Sequence, residues 1–248
     1  MVHLTPTSLI TGPKVTERWG RSIFIDTGSN GTTLAVSREI RIPRASVVVT
    51  LAAQELMRLS KNGDKADHIV LIGSDVDPTQ HPDFREISDN LRELRNKWFP
   101  RAKLVLISDD PDLESAETRI ALGSYDFNVI RLESGTAKTY TAITGKKGTN
   151  LAQLIKYLTT VERVVVRALI TRGKIDNSSA SEVKNWIKKI KDVEPIEVQL
   201  STLKGKAKPS DKRSPVTKTV LAKIAEDAGD ELGTTVNVYQ PGTDLEPI

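Results

Sequence analysis

From residue 68 onward, short runs of β-branched and leucine residues alternate with longer amphipathic segments. The run 69–72 contains only Ile, Val and Leu, whereas segment 84–98 has apolar residues at three- and four-residue spacing. This alternation is typical of parallel βαβ units. It predicts strands at 22–26, 69–72, 103–107, 128–132, 164–170, 197–201 and 235–239, and helices at 47–59, 84–98, 113–122, 151–158, 181–190 and 216–228.

The predicted elements indicate one α/β domain with about six or seven strands. A chain of 248 residues has the size of a single βα-barrel, which takes about 250 residues. No linker or fixed-period repeat divides it. We therefore expect a single barrel domain over residues 1–248, with a core at about 20–203 and a C-terminal helix and strand within 214–240.

The chain contains no cysteine. This excludes disulfides, thiolate zinc sites, cysteine nucleophiles and cysteine-ligated iron–sulfur clusters. No apolar run approaches the roughly 18 residues that a membrane-spanning helix needs, and the N-terminus has no signal-peptide pattern. We expect a cytoplasmic protein without a membrane partner.

Several sequence blocks resemble those of the radical S-adenosylmethionine (radical SAM) family. They are Gly20-Arg21-Ser22, the block 77–84 (DPTQHPDF), 103–108, 132–136 and 197–200, in the order expected of that family. The subgroup that they resemble most is related to the wybutosine-forming tRNA enzymes. The resemblance covers about residues 12–239 and implies an α/β fold, an incomplete (β/α)6–7 TIM-like barrel with its active site at the carboxyl ends of the strands.

The resemblance ends at the loop that should hold the iron–sulfur cluster. The family uses three cysteines in a CxxxCxxC motif after the first strand, whereas residues 27–39 of this chain contain neither cysteine nor histidine. Hydroxyls and a carboxylate are poor ligands for such a cluster. No four-iron cluster is expected.

The turn that binds the amino group of SAM in the family also differs. It corresponds to residues 74–78, where Val76 replaces a flexible glycine and Asp77 shortens the family's carboxylate by one methylene. SAM remains the possible cofactor that the resemblance implies. The residues that would line a SAM-like pocket are Ser74, Asp75, Asp77, Ser108, Glu133 and Arg167.

Charged residues collect at the predicted strand ends, and they allow two interpretations. Strand alternation places Arg131 and Glu133 on one face, pointing inward. One interpretation is an internal network of buried ion pairs, formed by Arg131, Arg167, Glu133 and Asp77. The other is a hard-cation site for Mg²⁺ or Mn²⁺, formed by Asp75, Asp77 and Asp109 with His81 nearby.

His81 precedes a predicted helix and lies between Gln80 and Pro82. This position favours a packing or capping role over that of a general base. No triad, Walker loop or dinucleotide-binding glycine motif can be assigned.

A basic segment follows the predicted strand 197–201. Its cations are Lys204, Lys206, Lys208, Lys212 and Arg213, in a chain of net charge +4 and pI near 9.2. The segment is either a solvated loop or a phosphate-contacting loop, in which case Lys204, Lys206 and Lys208 would bind nucleic acid. It has no aromatic residues for stacking bases.

Three functions are compatible with these observations. The first is a pseudoenzyme: a radical SAM-like protein that has lost cluster chemistry and acts as a binding or regulatory partner of another protein or of RNA. The second is an enzyme with replaced chemistry that uses SAM or a carboxylate-bound divalent metal. The third is an RNA-binding protein related to tRNA modification. Whether the chain is an enzyme is left open, with a non-catalytic role favoured.

Overall fold

A computed structural model describes residues 9–28, 42–205 and 211–240. The chain divides into two compact units, of which the first ends at Asn128 and the second begins at Val129. The strand Phe127–Arg131 (β5) contains this boundary. Each unit is described by itself, and the prediction of one domain over the whole chain stays a prediction.

In the described part of the first unit, the strands before β5 lie in the order β1-β2-β3-β4. They are β1 (Ile10–Thr16), β2 (Gly20–Asp26), β3 (His68–Ile72) and β4 (Lys103–Ser108). The strands β2, β3 and β4 are parallel, whereas β1 pairs antiparallel with β2. The parallel strands were predicted, and β1 was not.

Residues 42–128 of the first unit, all of which are described, contain three α-helices: α1 (Ala45–Lys61), α2 (Phe84–Trp98) and α3 (Ala116–Ala121). Short 3-10 turns cover Pro78–Gln80 and Leu122–Ser124. The valine run 47–49 is helical, as predicted, although β-branched residues favour strands. Burial of Val48, Ala52, Leu56 and Leu59 on one face of α1 outweighs that preference.

In the second unit, parallel strands among the described residues lie in the order β6-β8-β10. They are β6 (Val164–Leu169), β8 (Glu197–Ser201) and β10 (Thr235–Val238). A separate antiparallel ribbon pairs β7 (Thr171–Gly173) with β9 (Arg213–Pro215). This ribbon was not predicted.

The helices of the second unit are α4 (Ala137–Thr144), α5 (Thr149–Leu158), α6 (Ala180–Lys191) and α7 (Lys218–Leu232). All but α4 were predicted. Its single buried residue, Tyr140, gives α4 almost no periodic apolar signal.

The hydrophobic cores follow the strand alternation. In the first unit, Ile23, Ile25, Ile69, Leu71, Leu104 and Leu106 are fully buried. In the second unit, Val236 faces Gly229 of α7, and the register places Val198 and Val166 beside it on the same face. The polar residues Asn237, Gln199 and Arg167 form the matching row on the opposite face.

Among the described residues, no helix has the combination of length and hydropathy required to cross a bilayer.

Candidate functional site

Asp26 and Ser74 connect the carboxyl ends of two neighbouring strands in the first unit. Asp26 ends β2, and its Oδ1 accepts hydrogen bonds from the backbone N–H groups of Gly28 and Ser74, both at 3.0 Å. The Ser74 hydroxyl also donates to Asp26 Oδ2. Ser74 therefore holds the turn after β3 against the end of β2.

Backbone atoms of the turn after β3 fill the space beside two of the nearby glycines. A Cβ added to Gly73 or to Gly28 would collide with the carbonyl oxygen of Val76. The Val76 peptide thus occupies the space next to both glycines. We conclude that this turn packs against the chain at the position where the resemblance implies SAM binding.

Asp77 is the centre of a second group of hydrogen bonds in the first unit, here called the Asp77 cluster (Asp77, Thr79, Ser108 and Asp110). Oδ1 accepts from the backbone N–H of Thr79 at 3.0 Å and from its hydroxyl at 2.6 Å. The Ser108 hydroxyl lies 2.9 and 2.8 Å from the two carboxylate oxygens, and Oδ2 accepts from Asp110 N–H at 2.9 Å. Both oxygens of Asp77 are therefore used inside the protein.

The Asp77 cluster fixes the loop after β4 to the turn after β3. Thr79 Oγ1 also accepts from Asp112 N–H at 2.9 Å, which extends the network by one more bond. Burial raises the pKa of Asp77, while the bonds from Thr79, Asp110 and Ser108 counteract part of that rise. The cluster has the character of a structural clamp.

His81 has a structural position at the start of α2, in line with the packing or capping role that the sequence favoured. It is buried, and its Nδ1 accepts from Asp83 N–H at 3.0 Å just before α2. Its Nε2 lies 2.8 Å from the Pro43 carbonyl oxygen, so the ring is the tautomer that donates there. Both ring nitrogens therefore form hydrogen bonds within the protein.

The residues of the proposed cation site do not form a compact group. Asp75 and Asp109 are exposed, whereas the Asp77 carboxylate is satisfied by hydrogen-bond donors. Nowhere in the described ranges do three or more His, Asp or Glu side chains form a group that could hold a metal ion.

Glu133 is the centre of the corresponding group in the second unit, here called the Glu133 cluster (Arg131, Glu133, Asn177 and Arg213). Its side chain is 3% exposed. Oε1 accepts from Arg131 Nη2 at 2.7 Å and Nε at 3.1 Å. Oε2 lies 3.2 Å from Arg213 Nη2 and accepts from Leu169 N–H at 3.1 Å.

Arg213 and Asn177 lock the ribbon to the end of β6. Arg213 Nε donates to Thr171 Oγ1 at 2.9 Å, and Nη2 donates to the Leu169 carbonyl at 3.2 Å. Asn177 donates to the carbonyls of Glu133 and Leu169 and accepts from Thr171 N–H. Hydrogen bonds from Arg213 and Asn177 therefore fix the conformation of segment 169–177.

The loop after Glu133 is held by another buried carboxylate. Glu182 Oε1 accepts from Gly135 N–H at 2.7 Å and from Thr136 N–H at 2.9 Å. Trp186 Nε1 donates to the Leu132 carbonyl at 2.7 Å. This carboxylate was not predicted as a site residue, because its position beside a helix start is also that of an ordinary capping residue.

These contacts show where the residues of the predicted ion-pair network lie and which of them meet. The Arg131–Glu133 pair is present, and Arg213 adds a second cation that was predicted only as part of the basic loop. Asp77 belongs instead to the hydroxyl-rich cluster of the first unit. Arg167 lies half-buried on β6, and its carbonyl accepts from Leu132 N–H at 2.9 Å.

The basic segment is described only in part. Lys204 is exposed, whereas Lys206 and Lys208 lie outside the described residues, as do residues 29–39 of the loop that corresponds to the cluster motif.

The donor set does not fit a four-iron cluster. Such clusters need thiolates, with imidazole as the known replacement, and the sequence has no cysteine. Of its two described histidines, His81 is occupied as above and His68 Nδ1 lies 2.7 Å from the Trp19 carbonyl oxygen. The carboxylates that the resemblance assigns to SAM, Asp77 and Glu133, are likewise bonded internally.

No protein-family model matches the chain, and no curated protein matches it in sequence. Solved structures do match. A domain of pyruvate-formate lyase-activating enzyme from Bacteroides vulgatus is 14% identical, with a TM-score of 0.52 over 70% of this chain and 99% of its own. Streptococcus suis SuiB bound to S-adenosylmethionine is 14% identical, with a TM-score of 0.56 over 83% of this chain and 45% of its own.

A radical SAM methyltransferase from Sphaerobacter thermophilus is 13% identical, with a TM-score of 0.55 over 81% of this chain and 58% of its own. The chain thus spans about half the length of the last two proteins. These similarities show a shared fold. They confirm the predicted fold class, a mostly parallel α/β fold of the incomplete-barrel type found in radical SAM enzymes.

Proposed function

We propose that the protein is a cluster-less relative of radical SAM enzymes that acts as a binding or regulatory protein. The observation that carries this proposal is the use of Asp77 and Glu133 as structural clamps in a chain without cysteine. If these carboxylates held SAM, part of their hydrogen-bonding capacity would be used by the cofactor. Here every oxygen of both carboxylates accepts bonds from the protein itself.

The wybutosine-related subgroup is part of the same proposal. It rests on Gly20-Arg21-Ser22 and on the block 77–84. In this block Asp77 and Thr79 form a part-buried cluster, and His81 accepts a hydrogen bond from Asp83 N–H at the start of α2. These contacts give the motif a folding role that is independent of cluster chemistry, and this would explain its retention in a protein that has lost that chemistry.

Anaerobic reconstitution with iron and sulfide tests the proposal. The wild-type protein should bind no cluster, as measured by absorbance near the cluster band and by iron and sulfide content. Ser29→Cys, Thr33→Cys and Val36→Cys together would recreate the CxxxCxxC spacing and provide a matched variant. Stoichiometric cluster uptake by the wild-type protein would contradict the proposal.

The second candidate is an enzyme with replaced chemistry that binds SAM or a divalent cation. It is favoured by the exposed carboxylate of Asp75 and by the SAM-bound state of the SuiB structure. Titration calorimetry with SAM, Mg²⁺ and Mn²⁺ distinguishes it from the first. Saturable binding that Asp75→Asn weakens would favour this candidate, and the absence of both heat and a thermal shift with all three would contradict it.

A further inference from the structure

A surface pocket of the first unit lies at the amino ends of β2 and β3. Its volume is about 400 Å³, towards the lower end of the range for small-molecule sites. We call it the hairpin pocket, because β1 and β2 form one wall and the loop from α1 to β3 forms the other. It is lined by Pro13, Val15, Arg21, Gly63, Asp64 and Lys65.

The two walls of the hairpin pocket are joined by Arg21 and Asp67. The Arg21 N–H donates to Asp67 Oδ2 at 2.9 Å, and the Asp67 N–H donates to the Arg21 carbonyl at 2.7 Å. Both bonds use only the backbone of Arg21. Its guanidinium is therefore held at the pocket and keeps its donors available.

The loop wall is fixed by the end of α1. After the helix ends at Lys61, the N–H groups of Gly63 and Asp64 donate to the carbonyls of Ser60 and Leu59 at 3.1 and 3.0 Å. A Cβ added to Gly63 would meet no heavy atom within 4 Å outside its chain neighbours. The pocket therefore has a fixed frame with open space above Gly63.

Charges of both signs line the hairpin pocket. Arg21, Asp64 and Lys65 are exposed, and none of them forms an ion pair in the described part of the chain. Arg21 and Lys65 offer N–H donors, whereas the Asp64 carboxylate offers acceptors. A purely anionic ligand would be repelled by Asp64, and a purely cationic ligand would be repelled by the two cations. A ligand with both charges is complementary to this arrangement.

The pocket also has an apolar wall. Val15 lies opposite Arg21 in the pairing of β1 with β2, and Pro13 precedes it by two residues. Val15 is 78% exposed, more than any other large apolar side chain of the described residues. Covering this surface with an apolar group of a ligand is favourable, because it removes apolar area from water.

We propose that the hairpin pocket binds a small zwitterionic amino acid with an apolar side chain. Its carboxylate pairs with Lys65 and with Arg21, whose guanidinium can bind a carboxylate through two parallel hydrogen bonds. Its ammonium group pairs with Asp64. Its side chain covers Val15 and Pro13.

This proposal is independent of the absence of a cluster. The hairpin pocket lies at the amino ends of the strands, whereas the resemblance implies SAM binding at their carboxyl ends. None of its residues belongs to the Asp77 cluster or to the Glu133 cluster. The content of iron and sulfide does not bear on it, so the two proposals can fail separately.

Heteronuclear NMR spectroscopy of the full chain tests the binding. L-leucine and L-phenylalanine are titrated separately. Binding of at least one of them should saturate in the millimolar range or below, and it should shift the amide signals of Arg21, Gly63 and Lys65. The absence of saturable binding with both, or shifts confined to other parts of the chain, would overturn the proposal.

Three analogues of the amino acid that binds more tightly test each part of the contact. The methyl ester lacks the carboxylate charge, the N-acetyl derivative lacks the ammonium charge, and glycine lacks the apolar side chain. Each should bind at least about fivefold more weakly, because each loses one charge-assisted or apolar contact. A smaller loss for any of the three would overturn the proposal.

Substitutions test the same contacts from the side of the protein. Arg21→Gln should remove most of the preference for the amino acid over its methyl ester, and Asp64→Asn most of the preference over its N-acetyl derivative. The control Arg92→Gln removes an exposed cation of α2 and should change neither preference by more than about twofold. Circular dichroism confirms that the variants are folded. An unchanged preference in either pocket variant, or an equal loss in the control, would overturn the proposal.

Discussion

Arg213 Nη2 lies 3.2 Å from Glu133 Oε2, although the two residues are 80 positions apart in the chain. Their side chains are 18% and 3% exposed, so the ion pair is largely shielded from water. Together with Arg131, this contact ties the β7–β9 ribbon to the end of β6.

The first prediction concerns this ion pair. Glu133→Gln removes the charge that faces two arginines and should lower the free energy of unfolding by about 3 kcal/mol, since the arginines lose their buried counter-charge. Urea unfolding at neutral pH measures the change. The control Glu231→Gln breaks an exposed pair with Lys191 and should cost less than about 1 kcal/mol. Equal effects would show that the Glu133 pair contributes little.

The second prediction concerns the pH dependence of stability at Asp77. Because burial raises its pKa above 3.8 in the folded state, the folded protein holds this proton more tightly than the unfolded chain does. Protonated Asp77 therefore stabilises the fold at low pH. This stabilisation is lost as the pH rises through the pKa of Asp77 in the folded protein. Asp77→Asn cannot ionise and should not show this decline.

Urea unfolding of the wild type and Asp77→Asn across the acidic range measures this effect. The stability advantage of the wild type should shrink as pH rises from below 3.8 toward neutrality. A growing advantage would show that the hydrogen bonds from Thr79, Ser108 and Asp110 outweigh burial and lower the pKa.

The third prediction concerns Asp126, whose pKa is shifted in the direction opposite to that of Asp77. Burial alone would raise its pKa, but the Leu104 N–H bond and the cations Arg95 and Lys103 outweigh it and lower the pKa below 3.8. Its stabilisation is present at neutral pH and is lost as pH falls through the folded pKa. Asp126→Asn should therefore destabilise the protein at pH 7 and become nearly neutral at the lowest accessible pH. A pH-independent difference would contradict this.

The fourth prediction concerns the closed turn after β3. Gly73→Ala places a Cβ against the Val76 carbonyl and should cost about 1–3 kcal/mol through overpacking. The control Gly123→Ala lies in the same unit, where no heavy atom outside its chain neighbours is within 4 Å of the added Cβ. It should change stability by less than about 1 kcal/mol. Equal thermal shifts for the two variants would contradict the packing described for this turn.

The parallel strands and their helices were predictable because their signals are local. The run 69–72 and the periodic segment 84–98 appear in the structure within a few residues of their predicted ends. The strand β1 was missed because Gly12 and Pro13 interrupt it, and its register shifts between Thr11 and Lys14. The strands β7 and β9 have three residues each, too few for a two-residue period to be recognised.

The site was predictable to a smaller extent. Alternation along β5 and the following residues correctly paired Arg131 with Glu133, because both residues belong to one segment. Arg213 could not be assigned to Glu133, since nothing in a local sequence pattern indicates contacts between residues 80 positions apart. Glu182 resembled an ordinary cap residue, and only the fold shows that Glu182 and Thr79 hold backbone N–H groups of segments distant in the sequence.

We propose that this protein has the fold found in radical SAM enzymes but carries no iron–sulfur cluster. Analysis of protein purified anaerobically from the cells that produce it tests this proposal most directly. Iron and acid-labile sulfide are measured per chain without reconstitution. The account predicts only background amounts of both. Four iron and four sulfide per chain, tightly bound, would contradict it.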